Sequence, residues 1–370
     1  MNFIAVLEST FLISAIFYTV YLSSFFRIFV SKKNRNINPL SANSISEDYI
    51  SVLICAKNEA KNLADNLPSV LTQQHPNFEV IVINDQSTDE TFFVLQDFQK
   101  EFTNLSVFTT EGKSNKKKAV QLAKDKAKGN IFVFTDADCQ IASNEWLKKI
   151  QQCFNKKTQV VLGYGPIFKK NTCLNVLQRF ETLTTALQYF TSAAFNSAYM
   201  GVGRNLAYTK NINRLVELTE EENKLLSGDD DLWIQHAKNI GEIEILTSPE
   251  TFAYSHGEKS FKKWWNQKRR HITTANHYQF KDQILLSGIF LTKLYFWWYS
   301  ILILIFGFSE FPITSFTIVI CLIYIVYAIA SSKFKEPNIW VLSPILDFFI
   351  ICFQLCLFIS NLVSPIRKWK

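Results

Sequence analysis

The sequence predicts an α/β domain with a mostly parallel sheet, flanked by transmembrane helices. Short β-branched apolar runs alternate with helical patterns between residues 49 and 135, which is typical of βαβ units. Long uncharged runs lie near residue 20 and from residue 284 onward in this chain of 370 residues. With 48% apolar and 19% charged residues, the chain does not resemble disordered, collagenous or coiled-coil proteins.

A first transmembrane helix is predicted within residues 1–30, because the uncharged run Ser9–Phe26 approaches the length that spans a bilayer. A basic cluster follows it between Arg27 and Arg35, which favours a cytoplasmic position for the next domain. Residues 31–48 are polar and rich in Ser and Asn, and they are interpreted as a linker.

The next domain, predicted over residues 49–255, begins with four strands separated by three helices. Polar residues follow the strand ends, where parallel sheets bind their ligands. The predicted strands are Tyr49–Cys55, Phe78–Ile83, Leu105–Thr109 and Ile131–Thr135, and the predicted helices are Lys61–Leu71, Thr91–Phe102 and Lys116–Lys128.

Two acidic motifs could carry chemistry. Asp136 and Asp138 follow the fourth strand, and alternate residues of an extended chain point the same way, so both can hold one Mg²⁺ or Mn²⁺. The alternative is a solvated turn. Asp229, Asp230 and Asp231 precede a predicted helix over Leu232–Lys238, where they could cap the helix or supply a general base.

Two further segments have open interpretations. Residues 264–271 (WWNQKRRH) belong to a predicted membrane-interface helix over 256–283, but Arg and Gln could also bind a diphosphate. We expect no nucleic-acid partner, since no known binding module surrounds this basic patch. Residues 200–208 contain small side chains that would let a ligand approach the backbone, or they form a plain turn.

About three more transmembrane segments are predicted over residues 284–370, in the apolar stretches Ile284–Phe308, Phe311–Ser332 and Phe348–Ile366. Three crossings would place the basic C-terminal residues outside, against the positive-inside tendency. One segment could therefore lie in the membrane plane, with Ile284–Thr292 the first candidate. The seven cysteines show no metal-ligand spacing and are expected to be free, buried thiols.

The ordered motifs resemble the family 2 glycosyltransferases of GT-A fold, in their membrane-anchored inverting branch. The resemblance covers roughly Tyr49–His271. It is carried by ICAKNE (54–59), NDQSTDET (84–91), KKKA (116–119), TDADC (135–139), GVGRNLAY (201–208), SGDDDL (227–232) and QKRRH (267–271).

The resemblance implies a role for each matching residue. Asp136 and Asp138 would hold a divalent metal, Mg²⁺ or Mn²⁺, on the diphosphate of a nucleotide sugar, with a UDP-sugar favoured. Asp229 would be the base, with Asp230 the alternative if the register differs by one. The nucleotide would be bound by Ala56, Asn58, Glu59, Asp85, Lys117 and Asp136, and the acceptor or diphosphate by Gly203, Asn205, Gln267 and Arg270.

The resulting expectation is an inverting glycosyltransferase of the cell inner membrane with a cytoplasmic catalytic domain. Its acceptor would be a lipid-linked or cell-envelope glycan. A processive polysaccharide synthase is the second interpretation, although His271 stands where that class has Trp. A non-enzymatic scaffold or transporter is the third, but such a protein would be expected to have lost its carboxylates.

Overall fold

The computed structural model describes residues 3–30, 48–112, 115–225, 228–306 and 310–364. Its strands are β1 (Ile50–Ala56), β2 (Phe78–Asn84), β3 (Leu105–Thr109), β4 (Ile131–Phe134), β5 (Gln140–Ile141), β6 (Thr158–Gly163), β7 (Leu206–Thr209), β8 (Glu242–Leu246) and β9 (Ala253–Tyr254).

Helices cover both faces of the sheet and also form the long apolar segments near residue 20 and after residue 280. They are α1 (Phe3–Ser24), α2 (Phe26–Val30), α3 (Ala60–Leu71), α4 (Thr91–Glu101), α5 (Lys116–Lys126), α6 (Trp146–Gln151), α7 (Cys173–Ala194), α8 (Lys210–Leu215), α9 (Glu220–Lys224), α10 (Asp229–Ala237), α11 (Phe261–Thr274), α12 (Phe280–Phe306), α13 (Glu310–Lys333) and α14 (Ser343–Val363).

The first half of the domain forms the expected parallel sheet. β1 pairs in parallel with β2 and β4, and β2 pairs in parallel with β3. The apolar runs form these strands because both faces are covered: β1 and β2 contribute Ile50, Val52, Val80 and Val82, each fully buried. The four predicted strands and three predicted helices agree with the structure to within two residues at each end.

The second half of the domain departs from a simple parallel alternation. β7 lies between β4 and β6 and is antiparallel to both, giving the order β3-β2-β1-β4-β7-β6-β8. β5 and β9 form a separate two-stranded sheet. The carboxyl end of β4 therefore lies beside the beginning of β7, which directly follows residues 201–205. This arrangement brings Asp136 and Asp138, which follow β4, close to the small residues that precede β7.

Four helices are long and apolar enough to span a membrane, namely residues Ala5–Val30, Phe280–Ile303, Glu310–Lys333 and Trp340–Val363. This agrees with one predicted segment near residue 20 and about three after residue 284. In the described residues, α1 packs along α12 through Phe11 and Phe296, whose rings stack at 5.5 Å.

The turn after α13 inserts into the α/β domain. Phe334 is fully buried and its ring contacts Tyr164 at 5.0 Å. The Glu336 carboxylate accepts hydrogen bonds from Arg179 Nε at 2.8 Å and from the Tyr164 hydroxyl at 2.9 Å. Arg179 and Glu336 are both buried, so this turn anchors α13 to α7 by a desolvated ion pair.

The cysteines are all free, as expected, but they are not all buried. Cys139 is buried, whereas Cys173, Cys321 and Cys356 are exposed. Cys321 and Cys356 lie on the outward faces of α13 and α14, which are apolar. A thiol is compatible with such a face without being buried inside the protein.

Candidate active site

The ends of β1 and β2 are joined by a backbone hydrogen bond from Asp85 N to Ala56 O, at 2.8 Å. Asp85 is buried, and its carboxylate accepts a hydrogen bond from Thr110 Oγ1 at 3.0 Å. Lys57 Nζ lies 3.4 Å from the same carboxylate. Ala56 and Asp85, two of the predicted nucleotide-binding residues, thus lie side by side at the sheet edge.

The loop after β1 is held by Asn58, which has a left-handed backbone with φ of 57°. Asn tolerates this conformation better than most residues. Its Oδ1 accepts a hydrogen bond from Thr88 N at 2.8 Å. Glu59 N donates to Thr91 Oγ1 at 2.8 Å, which ties the same loop to α4. Asn58 and Glu59 therefore join the loops that follow β1 and β2.

The two carboxylates after β4 differ in electrostatic environment. Burial opposes ionisation of Asp136, but the Lys116 ammonium, 2.9 Å away, and the Arg204 guanidinium hold its pKa below the usual value. Burial and the charge of Asp136 raise the pKa of Asp138. Burial also raises the pKa of Glu59, with contributions from both aspartates, so Glu59 lies within electrostatic range of this cluster.

The cluster fits a divalent cation. Ligand atoms of Asp136, Asp138 and Cys139 lie within 4.8 Å of one another. Mg²⁺ and Mn²⁺ prefer carboxylate oxygens, which the two aspartates supply. Burial, together with the charges of both aspartates, raises the pKa of the Cys139 thiol, which makes it a poor ligand for a hard cation. The two aspartates are therefore the residues that would hold the metal.

Two cations at this cluster were not singled out from the sequence. Lys116 pairs with Asp136, whereas the predicted Lys117 donates from Nζ to the Glu222 carbonyl oxygen at 2.9 Å. Successive residues of a helix point about 100° apart, so a one-residue difference changes the side that is reached. Arg204 donates to Gly165 O from Nε, at 3.1 Å, and from Nη2. The sequence signal that could have identified Lys116 and Arg204 is charge, because carboxylates that are partly shielded from water are usually paired with cations.

The acidic triplet begins α10, three residues before the predicted helix start. Gly228 precedes it with φ of 88°, and a Cβ there would lie 1.9 Å from Thr274 Cγ2, so only glycine fits. Asp230 lies against Gly203, and its charge, like that of Asp136, raises the pKa of Lys116. Asp231 instead accepts a hydrogen bond from the Tyr278 hydroxyl at 2.6 Å. The Asp229 side chain lies outside the described part of the structure.

Asn205, predicted to lie on the acceptor side, has its side chain bonded within the protein. It is buried, and its Nδ2 donates to Tyr164 O at 2.7 Å and to Thr251 O at 2.8 Å. Its Oδ1 accepts from Trp146 Nε1 at 3.1 Å. These bonds engage both the amide nitrogen and the amide oxygen of Asn205 inside the core. Asn205 therefore positions the segment that holds Gly203.

The predicted diphosphate residues lie on α11. Gln267 and Arg270 are half-buried, one turn apart on this helix. Desolvation, together with the charges of Lys268, Arg270 and Arg204, lowers the pKa of the neighbouring His271, although part of its side chain is open to solvent. The charges of Arg204 and Lys116 also lower this pKa, so this end of α11 lies within electrostatic range of the carboxylate cluster.

Comparison with known proteins identifies the domain. Residues 51–216 match the profile of the family described as Glycosyl transferase family 2. Glycosyltransferase AglE of Haloferax volcanii is 25% identical over 199 residues, which are 52% of this chain and 62% of that protein. Poly-beta-1,6-N-acetyl-D-glucosamine synthase of Staphylococcus epidermidis is 29% identical over 177 residues, 45% of this chain and 42% of the relative. The chain thus matches less than two thirds of each relative's length.

A solved structure shows the same fold. Mannosyltransferase PcManGT from Pyrobaculum calidifontis, in complex with GDP-Man and Mn2+, superposes with a TM-score of 0.55 at 15% identity, covering 96% of this chain and 99% of that one. The GT-A fold expected from the sequence is confirmed. Residues 51–216, which begin in β1 and include the carboxylates after β4, therefore form a family 2 glycosyltransferase domain.

Proposed function

We propose that the protein is a membrane-bound, metal-dependent inverting glycosyltransferase that moves a sugar from a nucleotide-diphosphate sugar to a hydroxyl acceptor. The observation that carries the proposal is the meeting of two carboxylate groups around Lys116. Lys116 Nζ lies 2.9 Å from the carboxylate of Asp136, a member of the strand-end pair, and the charge of Asp230, at the acidic helix start, also raises the pKa of this lysine. The strand-end pair suits a metal on the donor diphosphate, and the acidic helix start suits the acceptor hydroxyl.

The donor would lie across the ends of β1, β2 and β4. Ala56, Asn58, Glu59 and Asp85 would contact the nucleoside, and Asp136 and Asp138 would hold Mg²⁺ or Mn²⁺. When bound, such a cation neutralises charge that develops on the diphosphate leaving group. A similar fold solved with GDP-Man and Mn2+ supports this class of donor and metal. A UDP-sugar remains the favoured donor from the sequence motifs.

Among the described residues of the acidic triplet, Asp230 is best placed to act as the base. Its carboxylate would accept the proton of the attacking hydroxyl as that oxygen bonds to the anomeric carbon and the bond to the diphosphate breaks. A single displacement inverts the anomeric centre. Arg204, whose charge acts on both Asp136 and Asp138, would help to orient the diphosphate. Asp229, which the family resemblance implies as the base, is here the alternative.

The acceptor would be lipid-linked or a cell-envelope glycan, because the domain is joined to helices suited to a membrane. The basic cluster that begins at Arg27 supports an inner-membrane protein whose catalytic domain is cytoplasmic. The second candidate is a processive synthase, favoured by the 29% identity to a poly-beta-1,6-N-acetyl-D-glucosamine synthase. Product length separates single transfer from polymerisation.

The test uses full-length protein in nanodiscs of native lipid with Mn²⁺ and a panel of UDP-, GDP- and dTDP-sugars. Release of nucleoside diphosphate identifies the donor, and NMR of the product gives the anomeric configuration. Asp230→Asn should bind the donor normally by isothermal titration, yet its turnover should fall by at least about a hundredfold.

Asp231→Asn is the matched control, because Asn can still accept the Tyr278 hydrogen bond. If Asp229→Asn alone loses turnover, the base is Asp229. If no sugar in the panel is turned over or bound, the proposed activity is wrong, and a retained anomeric configuration would contradict the inverting mechanism.

A further inference from the structure

We infer that α14 does not cross the membrane, although its length and composition would allow it. It lies along the membrane surface on the side of the catalytic domain, with its exposed apolar row in the boundary between lipid headgroups and acyl chains. The inference depends on where the two ends of α14 are held.

The beginning of α14 is held at the catalytic domain. The preceding turn contains Phe334, which packs on Tyr164, and Glu336, which pairs with Arg179 of α7. Lys333, at the end of α13, donates from Nζ to the Ile28 carbonyl oxygen at 3.1 Å. The basic end of the first membrane segment, the end of α13 and the start of α14 are therefore at one side of the membrane.

The other end of α14 is held at the same domain. Arg269 of α11 donates from Nε to Asn361 Oδ1 at 2.8 Å and from Nη2 to the Ser360 and Ser364 carbonyl oxygens. Asn361 Nδ2 returns a hydrogen bond to Arg269 O at 3.0 Å. α11 itself is fixed to α7 by the ion pair between Lys268 and Glu181, at 2.5 Å.

The two helices run side by side in the same direction. Trp264 of α11 stacks on Phe353 of α14 at 4.3 Å with an interplanar angle of 9°. Eight residues beyond Phe353, Asn361 meets Arg269, which lies five residues beyond Trp264. At about 1.5 Å per residue the 21 residues of α14 measure about 31 Å, close to a bilayer core. A crossing would separate its ends by that distance along the membrane normal, yet one domain binds both.

The outward face of α14 suits lipid. Its exposed side chains are apolar and continue the exposed apolar surfaces of α12 and α13, the membrane-facing helices. The opposite face packs on protein. The exposed residues are Ile345, Phe358, Ile359, Leu362 and Val363, and the buried ones include Leu346, Ile350, Phe353 and Leu357.

The charges agree with this position. Asp347, in the second turn, pairs with Lys293 of α12 at 2.5 Å and accepts a hydrogen bond from Trp297 Nε1 at 2.8 Å. Pairing with Lys293 neutralises the Asp347 charge where both side chains are buried. An in-plane α14 also places Arg367, Lys368 and Lys370 on the same side as the cluster after Phe26, which satisfies the positive-inside tendency. The in-plane segment is thus α14, and not Ile284–Thr292.

The first test compares sides of the membrane in the full-length protein. Epitope tags are inserted after residue 40, after residue 308 and after Lys370, one per variant, and protease access is measured in spheroplasts and in inverted vesicles. The tags after residue 40 and after Lys370 should be cut from one side, and the tag after residue 308 from the other. Opposite sides for residue 40 and Lys370 would overturn the inference. The comparison does not depend on which side is cytoplasmic, so it is independent of the proposed function.

A second test uses two exposed cysteines near the middle of their helices, Cys321 on α13 and Cys356 on α14. A lysine at the centre of a crossing helix disfavours insertion by about a hundredfold, whereas at an interface it reaches water. Cys321→Lys should therefore lower the yield of monodisperse protein at least about tenfold, and Cys356→Lys should stay within about twofold. Equal losses in both variants would mean that α14 crosses the bilayer, and a dimer lost only in Cys356→Lys would assign its outer face to a second copy.

Discussion

Replacing Gly203 by alanine places a methyl group against the Asp230 carboxylate. The new Cβ would lie 2.0 Å from Oδ2 and 2.9 Å from Cγ of Asp230. Ordinary contact begins at 3.4 Å, so the carboxylate must retreat by about 1.4 Å. Because the obstructing atom is the far end of a flexible side chain, the fold can absorb this movement without a large loss of stability.

The expected effect is on turnover. A misplacement of about 1 Å in a reacting group can cost roughly a hundredfold in rate, so we expect Gly203→Ala to lose about that much. Donor affinity should change little, because the displaced group would face the acceptor. The assay pairs turnover with isothermal titration of nucleoside diphosphate and Mn²⁺ on the full-length protein.

Gly201→Ala is the matched control in the same segment. Its Cβ would meet Leu162 Cδ2 at 3.0 Å and Ile234 Cδ1 at 3.3 Å, which are apolar atoms away from the carboxylates. It should alter the melting temperature slightly and leave turnover within about threefold. Wild-type turnover in Gly203→Ala would refute the idea that the position of Asp230 limits the reaction.

Three further predictions use the same protein. Asp138→Ala should weaken Mn²⁺ binding at least about tenfold by titration, while Asp97→Ala, at an exposed surface pair, should not. Glu336→Gln leaves Arg179 buried without its countercharge and should lower the free energy of unfolding by about 3–5 kcal/mol; a melting curve like that of Asp97→Ala would contradict this. Because the pKa of His271 is lowered in the folded protein, the unfolded state takes up this proton first, and stability should fall as the pH drops below about 6.5. The melting temperature of His271→Gln should therefore fall less than that of the wild type between pH 7.5 and 5. Equal losses in the two proteins would refute this assignment.

The sequence predicts best what local patterns decide. The strands ending at Ala56 and Phe134 are continuous apolar runs, and parallel strands bring their carboxyl ends to one edge. The approach of Asp85 and Asp136 to a common site follows from that rule alone. The long apolar segments follow in the same way from composition.

Contacts between distant segments could not be read from these patterns. Arg204 is placed at the carboxylates because β7 inserts antiparallel between β4 and β6, and its four residues carry no signal for that position. Asn205 looks like a ligand in the sequence, yet a tryptophan and two carbonyl groups from other segments occupy its amide. Likewise, hydropathy alone cannot distinguish a crossing helix from one that lies flat.

The burial of Phe334 and Glu336 has a consequence for how the protein is made. These two residues, the last of the catalytic core to be synthesised, follow β9 by about 80 residues. At typical rates of synthesis that interval is on the order of ten seconds. During it, Tyr164 and Arg179 lack the partners that cover them in the finished molecule. Completion of the enzyme therefore waits for two hydrophobic helices to enter the membrane, and a secretion or insertion fault would leave a core that chaperones must protect. A gene fragment truncated before residue 334 should yield an aggregating protein for the same reason.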